Sequence, residues 1–270
     1  MHITANEWNK YRQKLAQISE KAAQLMQEYV LRYGYNVDQR MIDYAYSLAN
    51  KYGEAAGELA CIMYDNMVAY WLASESRKLH EKLLLEDAEL QRLRNLAPAE
   101  AAEAATYEET AIAVRGTAKT APSAIPQTIS RLVKQVAADT TLQNASRDRA
   151  EFAWIPSGDT CAFCRILASR GWQTQSKKAM RNGHAEHIHA NCDCQYAVSF
   201  KGGMEYEKIY DPDKYLEEYY GAAEKMGGVY DWREQMNYMR RENYAKHKDL
   251  INAQKRAAYA RRKEIESASE

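Results

Sequence analysis

The sequence predicts a mainly α protein made of a helical N-terminal domain, a small α+β unit and a long C-terminal helix. Three observations carry this reading. Apolar residues recur at three- and four-residue steps through the first hundred positions, short strand-like stretches appear only after Asn144, and the chain closes on a long polar run with a thin apolar side.

Thr4 and Glu7 have the spacing of a capping box, and Trp8, Tyr11, Leu15, Ile18, Ala22, Leu25, Tyr29 and Tyr33 follow on one helical face up to Gly34. Asp38 can cap a second helix with Met41, Ile42, Ala45, Tyr46, Leu48, Ala49 and Tyr52 on its apolar face, ending at Gly53. A third helical stretch starts near Glu54, and its charged run SRKLHEKLLLEDAELQRLR reads as a solvated face. After Pro98 the Ala/Glu-rich segment favours helix. GTAKTAPSAIP, residues 116–126, has the small, Pro-rich composition of a linker. Pro126 then suits the first turn of another helix bearing Ile129, Leu132, Val133 and Val136. EFAWIP and NCDCQYAVSF read as strands, and helix resumes at Asp213 with a break at Gly227 and Gly228. The expected organisation is therefore a helical domain at 1–115, a linker at 116–126, an α+β unit at 127–204 and a charged helical region at 205–270.

The composition narrows the function classes. With 270 residues and 46% hydrophobic content, whole-chain disorder is excluded. No uncharged apolar run approaches membrane-spanning length and the N-terminus lacks the order of a secretory signal, so a soluble protein in a reducing compartment is expected, with no membrane partner. Lys+Arg and Asp+Glu balance at 37 each, yet residues 111–204 hold 12 basic against 6 acidic side chains. This local excess is well short of a dedicated nucleic-acid domain.

Four of the five cysteines lie between residues 161 and 194, which is the usage of a metal site rather than of a disulfide scaffold. Cys161 and Cys164 form a CxxC, and after 24 intervening residues His189, Cys192 and Cys194 form an HxxCxC. Sulfur and imidazole donors at this spacing can close a tetrahedral cage, and one structural zinc per chain is its natural occupant. Five candidates compete for four positions: Cys161, Cys164 and His189 are favoured with at least one of Cys192 and Cys194, and His187 is an alternative to His189. The competing readings are buried thiols and a redox CxxC; the latter lacks a surrounding βαβ pattern. Cys61 reads as a core thiol.

Catalytic readings find less support. His184-Ala185-Glu186 copies the HxE of zinc deaminases, but CxC follows too soon for their downstream CxxC. Glu186-His187 echoes a His-Asn-His nuclease strand without room for the remaining ligands. A cage of four protein ligands leaves no open position for water. No catalytic constellation is complete, and the chain reads as a non-enzyme.

The segment TLQNASRDRAEFAWIPSGDTCAFCRILASRG, residues 141–171, together with HIHANCDCQYAV at 187–198, resembles the zinc-containing region of tailed-phage minor capsid proteins of the Mu F-like head-morphogenesis group. The resemblance rests on Asn144-Ala145, Arg147-Asp148, Trp154, Ser157-Gly158-Asp159, Cys161, Cys164, the LASRG string and His189 to Cys194. It implies a virion component of the phage head, made in the host cytoplasm, structural or assembly-related, and contacting portal or major capsid protein. Packaged DNA would be a further contact of basic residues 115–149, notably Arg115, Lys119, Arg131, Lys134, Arg147 and Arg149. Two alternatives stand beside it: a zinc-dependent nucleic-acid-binding module or nuclease, and an effector delivered with the particle.

Overall fold

A helix formed by Ile125–Asp148 is buried on nearly every side, with 19 of its 24 residues out of solvent. In the computed structural model, which describes residues 3–82, 91–92, 94–157, 160–174, 194–200 and 209–268, this helix is the axis around which the others pack. The order is α1 (Ala5–Tyr33), α2 (Gln39–Lys82), α3 (Tyr107–Thr120), α4 (Ile125–Asp148), β1 (Glu151–Ile155), α5 (Ala162–Ala168), β2 (Gln173–Thr174), β3 (Gln195–Ser199), α6 (Pro212–Lys225) and α7 (Trp232–Ala268). The fold is mainly α with a three-stranded antiparallel sheet in the order β2-β1-β3.

The helix starts follow local chemistry. Thr4 and Glu7 close a reciprocal capping box at α1, and Gly34 ends that helix at φ 80°, a conformation that favours glycine. Asp38 accepts the Met41 N–H at 2.9 Å ahead of α2. The buried stripe of α1 runs through Trp8, Tyr11, Leu15, Ser19, Ala22, Met26 and Val30, so Tyr33 at the edge of the expected face is left exposed.

Three expectations are corrected. Gly53 does not end a helix: α2 continues through it to Lys82. At Gly53 and Gly57, α2 lies close against α4, since a Cβ at either would lie 3.1–3.3 Å from a Val136 methyl. The Ala/Glu-rich segment after Pro98 is not helical until Tyr107, because residues 97–102 form a strap whose backbone groups bond to side chains of α2 and α4. Finally, residues 116–126 are no linker. They comprise the end of α3, a 3-10 turn at Pro122–Ala124 and the first turn of α4. Ala-, Thr- and Pro-rich composition is compatible with helix ends as well as with loops, and here α4 joins the N-terminal helices in one core that also takes in Ala153, Ile155, Val198 and Phe200.

The α+β unit stands on the far end of α4. Trp154 and Tyr196, opposite each other on β1 and β3, meet edge to face at 4.5 Å. The C-terminal region docks on α5: Ala162 and Ile166 pack against Ala222 and Met239, and Arg165 pairs with Glu218 at 2.7 Å. Among the described residues, no helix is long and apolar enough to cross a membrane.

Candidate metal centre

The CxxC is presented by a tight turn into α5. Cys161 is the helix N-cap in extended conformation, and its Sγ accepts the Cys164 N–H at 3.5 Å. Cys164 falls one turn in and is fully buried. Cys194 immediately precedes β3 and is also buried; its Sγ accepts the Ser157 N–H at 3.3 Å and lies 3.1 Å from the Thr160 hydroxyl. These three cysteines share one small cluster with Ala138, Leu142, Trp154, Leu167 and Tyr196. Thus two stretches some 30 residues apart in sequence bring buried Cys164 and Cys194, with half-buried Cys161 packed against them, into one hydrophobic cluster.

His189 and Cys192, the other expected ligands, lie outside the described residues, as do His184, Glu186 and His187. Among the described residues, no group of three or more His, Cys, Asp or Glu side chains is arranged to hold a metal. The donor chemistry nevertheless fits zinc. An N–H or O–H aimed at sulfur stabilises thiolate over thiol, and such outer contacts orient the ligands of a metal site. Three sulfur donors suit a tetrahedral zinc, to which Cys161, Cys164 and Cys194 would contribute from this side.

Ser157 and Thr160 were not legible in the sequence as hydrogen-bond partners of the Cys194 sulfur, although the SGDT string just before CxxC held them. Ser157 has a second role: its hydroxyl accepts a hydrogen bond from Arg12 of α1, tying the turn beside Cys194 to the helical core.

Asn144, Arg147 and Asp148 have a clear structural role. Asn144 accepts the Glu100 N–H at 3.0 Å and donates to the Glu100 and Thr140 carbonyls. Arg147 donates to the carbonyls of Ala97 and Pro98 and forks onto both oxygens of Asp148 at 2.8 and 2.9 Å. Buried Asp148 also accepts the Tyr64 hydroxyl at 2.9 Å. Burial, reinforced by the Asp148 charge, pushes the Tyr64 phenol far up, while the hydrogen bonds to Asp148 raise Arg147 further. The set clamps the strap at 97–102 onto α4.

Of the other basic residues singled out at 115–149, Arg115, Lys119 and Arg149 are exposed, Arg131 is half-buried and Lys134 is buried. Desolvation lowers the Arg131 pKa. Cys61 is half-buried rather than in the core, and burial pushes its thiol up.

Fold and site define a helical protein with a cysteine-clustered α+β unit built onto its central helix. The family model described as VG15 protein matches residues 2–222, most of the chain, so the protein belongs to the VG15 family and is a phage protein. The match ends within α6, and α7 lies beyond it. Neither the curated proteins nor the solved structures compared with the chain give a match.

Proposed function

We propose that the chain is a phage minor head protein, a head-morphogenesis component of the virion in which one structural zinc ion fastens the α+β unit to a helical platform. The observation that carries the zinc is the meeting of Cys161, Cys164 and Cys194 in one buried cluster, with hydrogen-bond donors turned to two of the sulfurs. His189 and Cys192 are the remaining candidates in this reading. The metal would supply cross-linking only: a site filled by four protein ligands has no position for substrate. The head assignment draws on the phage family and on the sequence resemblance to minor capsid proteins.

The chain's own residues do the positioning. Cys161 and Cys164 come from α5, Cys194 from the start of β3, and Arg12 holds the Ser157 turn that donates to Cys194. Removing the metal should therefore loosen the α+β unit before the helical core. To test the assignment, a tagged chain is recovered from cells producing the particle. Portal or major capsid protein should co-purify, and chelation should lower the melting temperature of the isolated chain. Recovery of the chain alone, with none of it in purified heads, would remove the head assignment; an unchanged melting curve after chelation would remove the structural metal.

A further inference from the structure

The second half of α7 presents basic residues that make no ion pair among the described residues. The helix is kinked at His247, where φ is −115° and ψ is 16°, and beyond the kink residues 253–261 are exposed without interruption. At 100° per residue, Lys248, Lys255, Arg256, Tyr259 and Lys263 fall within an arc of about 100° on this outer segment, with Asp249 at the edge and position 266, a Glu, at the same azimuth in the last turn of the helix. All five are exposed, and among the described residues none of the four cations makes an ion pair. Lys255 stands over the Tyr244 ring at 5.6 Å and Lys263 over Tyr259 at 5.5 Å, so the two rings help to hold the ammonium groups on the surface. Residues 240–263, which span the kink, carry nine basic and two acidic side chains, a net +7 balanced by −7 over the rest of the chain; the outer segment alone, residues 248–268, carries six basic and three acidic side chains, a net +3.

From this geometry we infer that the outer half of α7 is a binding face for double-stranded DNA, acting on the phosphate backbone without reading sequence. A single helix about 10–12 Å across fits a major groove about 12 Å wide, and clustered cations gain affinity by releasing counterions from closely spaced phosphates. A protein partner is less well matched, because the cores of protein interfaces are depleted in charge and this segment has only a thin apolar side. The inference moves the DNA contact away from residues 115–149, where Lys134 is buried and Arg147 is committed to Asp148. It does not depend on the zinc.

The test is fluorescence anisotropy of the full-length chain with a labelled duplex of about 30 base pairs, from about 50 to 200 mM salt. Binding should appear at the low end, equal for two unrelated sequences, with a log–log salt slope of about −4 to −5. The variant K248Q/K255Q/R256Q/K263Q should bind at least about tenfold more weakly and flatten the slope by about 3 to 4. A control, R115Q/K119Q/R149Q, should keep both values. Since the outer segment touches little else, an unchanged melting temperature will show that the quadruple variant is folded. Two results overturn the inference: no binding by the full chain at the lowest salt, or affinity and slope retained by the quadruple variant. A third does so as well: salt-sensitive self-association abolished by the same substitutions, with no DNA bound, would assign the face to the acidic body of a second copy.

Discussion

Asp148 shows how much a single side chain of the recognised motif carries. It is buried, bonded to Arg147 through both oxygens and to Tyr64, and its backbone carbonyl accepts from Arg92 at 3.1 Å. The pair is out of water on the Asp148 side only, with the Arg147 side chain 30% exposed, so Asp148 is the partner whose burial depends on its hydrogen bonds. Asp148→Ala is therefore expected to destabilise by about 2 kcal/mol, because the buried Tyr64 hydroxyl loses its acceptor and the half-buried Arg147 guanidinium loses its carboxylate. Arg149→Gln, at the exposed neighbouring position, should change stability by less than about 0.5 kcal/mol. Urea unfolding of both variants measures this, and equal small losses would show that the clamp is dispensable. The Arg147-Asp148 pair was visible in the sequence as part of a resemblance, but its partners were not. Tyr64 lies 84 residues away and the accepting carbonyls of Ala97 and Pro98 about 50, and no local pattern encodes such distances.

Among the elements, α2 is where local and tertiary rules diverge most. Glycine inside a helix costs about 1 kcal/mol relative to alanine, and this cost favours reading Gly53 as a stop. Close approach to α4 outweighs it: at Gly57 an added Cβ would stand 3.1 Å from the Ala101 Cβ and 3.3 Å from a Val136 methyl. Gly57→Leu should lower the melting temperature despite its better helix propensity, since the longer side chain must displace the strap or α4. A rise in melting temperature would mean that the contact is loose. The same competition explains what was legible. Capping at Thr4 and Asp38, Pro126 at a helix start and the pair of strands flanking the cysteines are local chemistry, and all appear where expected. The strap at 97–102 does not, because its Ala/Glu composition favours helix while Thr140, Asn144 and Asp65 capture its backbone groups instead. Thr106 and Glu109 form a second capping box that marks the true start of α3.

For the whole molecule, the N-terminal helices and the α+β unit are one core built on α4, with a C-terminal arm whose inner half is docked and whose outer half projects basic residues into solvent. A linker at 116–126 would have separated the cysteine unit from the helices; the packing of α4 instead couples the sulfur cluster to α1 through Arg12 and Ser157. Of the cysteine cluster, the CxxC and Cys194 stood out in the sequence by their spacing, whereas the Ser157 and Thr160 contacts depend on a fold that brings residue 194 beside residues 157–160. The central claim concerns what fills that cluster. Zinc K-edge X-ray absorption of the full-length chain reads the donor set directly: a four-coordinate shell is expected, with three sulfurs at about 2.3 Å and one nitrogen at about 2.0 Å, or four sulfurs if His189 is not a ligand. A shell of oxygen and nitrogen alone, or a chain that retains no zinc when folded, would contradict the account.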